Sequence, residues 1–307
     1  MRELLARRLM SAVPTLIAVS IASFLLIHLL PGDPVDFMLG EQALPQAKAE
    51  LRAALHLDRS LPVQYGLFLR DLVTLRLTSL HTHEPVLPTL AVRFGWTLVL
   101  TVAAMAIAIA IAIPAGAYSA VKAGRLPDHA AMTVALLGVS MPTFWLGPLL
   151  ILLFAFHLNW FPVAGAREPL SVVLPAVTLG SGLAAILARM TRASMLEVLP
   201  LEFVTAARAR GIRERDVVVR HALRAALLPV VTLLGLQFGA LLSGSLITEE
   251  IFGWPGLGRE VVGAVRARDF PMFQGAVLLI SAAYLVVNLL TDVAYAWVDP
   301  RIRTRAA

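Results

Sequence analysis

Six long apolar runs dominate the chain and limit what it can fold into. They are Leu9–Leu30, Gly95–Val121, Ala130–Phe156, Leu170–Ala188, Ala225–Thr248 and Phe273–Val298. A helix rises 1.5 Å per residue, so each run can cross about 30 Å of hydrocarbon. The sixth carries Asp292; the other five carry no Lys, Arg, Asp or Glu. Only 15% of the 307 residues are charged, against about a quarter in soluble domains. The expected fold class is all-α integral membrane, with six transmembrane helices forming one domain over residues 1–307.

The basic residues record sidedness. Six crossings put both termini on one side, together with the loops at 122–129 and 189–224. These segments hold 16 of the 26 Lys and Arg, whereas the 64-residue loop at 31–94 holds six. Short basic loops lie in the cytoplasm. Both termini are therefore expected inside, and the loops near 31–94, 157–169 and 249–272 outside. The +6 net charge is read as topology rather than as a nucleic-acid surface. The first run follows Arg2, Arg7 and Arg8. Its 22 residues exceed a signal-peptide core, so it reads as an uncleaved helix. The absence of cysteine excludes disulfides and thiolate metal sites. No internal repeat stands out.

The inner segment "LEFVTAARARGIRERDVVVRHALRAALLPV" (201–230) is unusual for its place between apolar runs. Pro200 fits a helix's first turn, good helix formers follow, and Gly211 fits the left-handed position that ends a helix. A second helix is expected from about Glu214 into the fifth run. The short helix, with Glu202 and Thr205 on it, offers small Ala206 and Ala207 beside Arg208 and Arg210. Small residues admit a close partner, and arginines clamp carboxylates. A basic inner flank without a partner is the plainer alternative.

"TAARARG" (205–211) resembles the cytoplasmic loop motif of ABC importer permeases, with Thr205 where Glu is usual and Ala206, Ala207 and Gly211 matching. The 18 residues from Gly211 to Pro229 resemble the dipeptide/oligopeptide/nickel branch. So do "LLPGDPV" (29–35), "LDRSLPVQY" (57–65), "SMPTFWLG" (140–147), "NWFPVAG" (159–165), "ITEEIFGWPGLGRE" (247–260) and "NLLTDVAYAWVDPRIR" (288–303). The start directly on the first run resembles the first-named permease of the pair. "LHTHEP" (80–85) departs from the pattern. The resemblance implies that residues 201–210 form a coupling helix docked on a separate ATPase. It also implies a heterodimer with a second permease, two ATP-binding subunits that carry ATP and Mg, and an extracytoplasmic binding protein. Peptides and nickel are its substrate classes, and the cell (inner) membrane is its place.

No Gly-x4-Gly-Lys-Ser/Thr occurs, and the two lysines, Lys48 and Lys122, stand in other contexts. The chain is thus expected to carry no cofactor and to be no enzyme. Other candidates remain. Gly235, Gln237, Gly239 and Ser243 either line a pathway or pack helices. Asn288, Asp292 and Tyr295 share a helix face, and Asp292 fits a polar anchor or a substrate contact. Glu249, Glu250, Trp254 and Arg259 suit an outward partner such as the binding protein, or a lid; Trp254 also suits an interfacial anchor. His81, His83 and Glu84 have metal-ligand chemistry but lack a completing cluster. The stretch from Leu44 to Leu77 reads as short amphipathic helices. A secondary, ion-coupled transporter is the rival reading; it calls for repeats and broken helices.

Overall fold

The computed structural model describes residues 2–26, 28–29, 33–40 and 42–298, with side chains except at residues 2–9, 37 and 292–298. In chain order the helices are α1 (Arg2–Leu26), α2 (Pro34–Leu39), α3 (Pro45–Ala54), α4 (Leu61–Val73), α5 (Val86–Val121), α6 (Leu126–Ser140) and α7 (Thr143–Leu150). There follow α8 (Val173–Val198), α9 (Glu202–Ala209), α10 (Glu214–Asp216), α11 (Leu223–Ile251), α12 (Leu257–Ala267) and α13 (Phe270–Val298). A π-helical turn, Ile151–His157, extends α7; another, Val217–Ala222, joins α10 to α11; and a 3-10 turn, Pro169–Val172, leads into α8. Among the described residues the β structure is one isolated bridge, Thr78 to Pro85.

Among the described residues, four helical stretches are long and apolar enough to cross a membrane: Val86–Val121, Pro169–Val198, Glu214–Ile251 and Phe270–Thr291. A fifth arises if Leu126–Ser140 and Thr143–His157 count as one broken span. This corrects the expectation of one straight helix over 130–156, because the two halves meet at 107°. Met141 is extended (φ −84°, ψ 118°) and Pro142 follows it. Proline disfavours the helical region for the residue before it and has no N–H to donate. The fourth run is longer than expected. Arg189, Arg192 and Glu197 are helical, so the connecting segment begins after Val198 rather than at 189. The second run begins as helix at Val86, nine positions before Gly95. The apolar part of α1 that is described, Met10–Leu26, is short of a full crossing. The expected helices between Leu44 and Leu77 are present as α3 and α4.

The chain divides into two compact units, residues 1–96 with 255–307, and residues 97–254. In the second unit α5 and α8 approach until backbone nearly meets backbone. A Cβ at Gly116 would lie 2.5 Å from the Ala188 carbonyl oxygen, and one at Gly180 would lie 2.6 Å from that of Ala104. Without a hydrophobic drive between helices in lipid, such close packing is what holds them together. Leu100, Ala104, Ala108, Leu183, Leu187 and Val230 form the core around this contact.

In the first unit Phe24 of α1, Phe68 of α4 and Leu278 of α13 form a buried cluster. Polar bonds accompany it. The Ser20 and Tyr65 hydroxyls are 2.7 Å apart, and Gln274 Nε2 donates to the Ser23 carbonyl at 3.1 Å. Amphipathic α12 lays Leu257 and Ala264 against Met272 and Ala276 of α13.

Candidate functional site

The segment singled out by its arginines folds as expected in outline. Leu201 is extended (ψ 150°) and starts α9, with Pro200 one residue before the cap rather than in the first turn. The helix ends in a Schellman motif. Ile212 N–H donates to the Ala207 carbonyl at 3.4 Å, and Gly211 N–H to that of Arg208 at 2.9 Å. Gly211 has φ +75°, a conformation glycine adopts without penalty.

The eight residues of α9 divide into two faces. Val204 and Ala207 are buried in a cluster with Ala117 and Ala120 of α5, Met195 of α8, and Val217, Ala222 and Ala226. Glu202, Thr205, Ala206, Arg208 and Arg210 are exposed. Ala206 thus faces outward as expected, while Ala207 belongs to the helix's seat. Phe203, overlooked in the sequence, is 45% exposed. Phe203, Ala206 and Arg210 follow the i, i+3, i+7 spacing of one face. Arg208 departs from its expected role. Its guanidinium donates to Glu214 at 2.9, 3.1 and 3.3 Å, tying α9 to α10 across the Gly211 turn. That hydrogen bond holds the guanidinium above its ordinary pKa.

Beside this seat is a polar clamp that sequence reasoning missed. Asp128, in the first turn of α6, is 2% exposed. Its carboxylate accepts from Arg192 Nε at 2.6 Å and Nη2 at 2.8 Å, from Gly124 N at 2.9 Å, and from the Ser119 hydroxyl. The bidentate geometry makes this a strong, directional pair. One carboxylate therefore joins α5, the 122–125 turn, α6 and α8. A lone acid at the head of one apolar run and arginines at the end of the next were the available signals.

The other candidates fall out differently. Glu249 and Trp254, expected to face outward, are buried at 0% and 2% exposure. Glu249 accepts from the Thr97 hydroxyl at 2.7 Å and the Ser245 hydroxyl at 3.0 Å. Trp254 belongs to the core around Leu100 and Leu187. Their burial removes them as a partner-facing surface. Glu250 is half-buried and Arg259 exposed. Gly239 is buried, Gly235 and Gln237 are half-buried, and Ser243 donates to the Gly239 carbonyl at 2.9 Å. Close approach to a neighbouring backbone is seen at Gly116 and Gly180. Asn288 is half-buried; the side chains of Asp292 and Tyr295 lie outside the described ones.

His81, His83 and Glu84 are exposed in a turn, and His83 has φ 58°. Among the described residues no three His, Cys, Asp or Glu side chains converge to hold a metal ion. Asp269 organises that turn instead. It accepts from the Ser79 hydroxyl and caps α13 through Met272 N–H at 3.1 Å.

Comparison with known proteins gives this arrangement a family. Residues 112–304 match the binding-protein-dependent transport system inner membrane component, and residues 1–102 match the N-terminal part of such components. The chain is 44% identical over 298 residues to a glutathione transport system permease protein, GsiC, of Pectobacterium atrosepticum, with 97% of each chain covered. It is 42% identical, with the same coverage, to GsiC of Escherichia coli K12. In fold it is similar to an inward-facing structure of the MetNI methionine ABC transporter. The TM-score is 0.60 at 20% identity, over 70% of this chain and 99% of that one. The chain belongs to the binding-protein-dependent transport system inner membrane components and is a permease subunit of an ABC importer.

Proposed function

We propose that this permease forms half of a translocation pathway for glutathione or a peptide of similar size, driven from α9. The observation that carries the substrate class is the 44% identity over 97% of both chains to a permease named for glutathione transport. The observation that supports the drive is the two-faced α9, seated by Val204 and Ala207 and exposing Phe203, Ala206 and Arg210. A separate ATP-binding subunit docks on that exposed face and hydrolyses ATP with Mg. A second permease completes the pathway, and an extracytoplasmic binding protein delivers the solute.

The basic segments place α9 and both termini in the cytoplasm. Six crossings follow if α1 is the first and the broken α6–α7 pair the third, so that residues 1–307 act as one permease domain. ATP supplies the bias because the closed ATPase pair binds it more tightly than the open pair.

The test is uptake by the assembled transporter in proteoliposomes, with radiolabelled reduced glutathione and unlabelled competitors. Glutathione accumulates only with internal ATP, and a generic dipeptide or a nickel chelate competes weakly. ATP-dependent uptake of the dipeptide or nickel chelate, without glutathione uptake, contradicts the substrate reading.

A further inference from the structure

We infer that Asp128 is a positioning residue for transport, which locks the seat of α9 to α6 so that displacement of the docking helix reaches the membrane-embedded part. The inference rests on the docking of an ATPase at α9 proposed above. It adds a component that neither the family match nor the relatives' names assign.

Three contacts succeed one another along α5 and α8 in the second unit. At Gly116 the two backbones are too close for a Cβ, which would lie 2.5 Å from the Ala188 oxygen and 2.7 Å from Thr191 Cβ. About one turn on, Ser119 of α5 and Arg192 of α8 both bond the Asp128 carboxylate. Next to these, Ala120, the residue after Ser119, and Met195, about a turn beyond Arg192, meet Val204 and Ala207 of α9. Close-packed interiors move as blocks rather than deforming continuously.

α9 and the ends of α5 and α8 are joined by apolar contact. α6 joins this end of the block through Asp128 and through Gly124 N–H in the turn before it. At the far end of α6 the helix breaks at Pro142. A cavity of about 230 Å³ lies among α5, α6 and α8, lined by small and apolar residues including Ala131, Val134, Gly138 and Ala184. A cavity with so little side chain to resist it is where α6 would shift if its inner end came loose. Asp128 fixes that end.

Asparagine at 128 keeps the shape and removes the charge, so the bidentate pair with Arg192 is lost. The chain has no native cysteine, which makes paired labelling straightforward. Exposed His129, beside the clamp, and exposed Thr205, on α9, take spin labels as His129→Cys and Thr205→Cys. The complex is assembled with cysteine-free partner subunits in nanodiscs and measured without nucleotide and with ATP–vanadate. With Asp128 present, the distance distribution is narrow and the same in both states. With Asp128→Asn it broadens, and it shifts on trapping ATP, although the ATPase still co-purifies. Arg192→Lys, which keeps the charge, restores part of the narrowness that Arg192→Gln loses.

If Asp128→Asn leaves both distributions as in the parent, the inference is overturned while the docking proposal stands. A parent whose distance itself changes with nucleotide overturns it as well. If the parent does not co-purify with an ATPase, the docking proposal fails and takes this inference with it. Should Asp128→Asn not assemble, Ser119→Ala removes one donor without removing charge, and the same outcomes decide.

Discussion

Each unit of the molecule buries an aspartate that holds a turn, and the two use different chemistry. Asp128, in the second unit, faces a full counter-charge on Arg192, with Ser119 and Gly124 as further donors. Asp269, in the first, accepts from the Ser79 hydroxyl and from backbone amides of His81 and Met272. The first ties together α5, α6 and α8. The second caps one helix and steadies a surface turn. A charge taken out of water calls for a partner of opposite sign and good geometry. A helix cap asks only for an acceptor near free N–H groups. The difference separates a contact that joins three helices from one that closes a loop.

The comparison breaks most plainly at the aspartates. Asp128→Ala strands the Arg192 guanidinium between helices, so it should give the largest loss of folded, assembled protein on heating in detergent. Asp269→Ala removes a cap and should cost about 1 kcal/mol. Equal losses, or a larger loss for Asp269→Ala, would show that the charge pair carries no special weight.

The packing beneath the clamp comes next. Gly116→Val drives a side chain into the Ala188 backbone and should cost about 1–3 kcal/mol. Gly244→Ala meets nothing within 4 Å and should be neutral or slightly stabilising, since alanine is the better helix former. Thermal unfolding of the two variants side by side checks this. A tolerant Gly116 would mean that α5 and α8 are free to separate.

The smallest effect belongs to the exposed turn of the first unit. His81→Ala with His83→Ala should change stability by no more than about 0.5 kcal/mol. It should also leave nickel and zinc binding, measured by calorimetry, at background. A measurable metal affinity lost in that variant would reopen the turn as a site.

The comparison also separates what the sequence discloses from what it hides. α9 is legible because its features are local: a run of helix formers and Gly211 at the end. The break at Pro142 was present in the letters but not decisive. Pro114 and Pro229 sit inside continuous helices, so proline alone does not set a break in an apolar run. Arg208 shows the limit of reading an exposed charge as one available to a partner. Its partner, Glu214, lies six residues on, across a turn whose closure brings them together.

Glu249 and Trp254 show the same limit for topology. Their place between runs points to an outer surface, yet α11 continues to Ile251 and carries Glu249 inward, and the turn after it returns Trp254 to the core. Asp128 and Arg192 are 64 residues apart. Nothing local pairs them; only the packing of α6 on α8 does.

The central claim is that the exposed face of α9 meets a motor. The direct test is affinity purification of the tagged chain from gently solubilised native membranes, with identification of what accompanies it. The account predicts an ATP-binding subunit and a second permease with the parent chain. With Ala206→Asp, which puts a charge on the exposed face, the ATP-binding subunit is lost and the second permease kept. A chain that purifies alone, or an Ala206→Asp variant that retains the ATP-binding subunit in full, would contradict it.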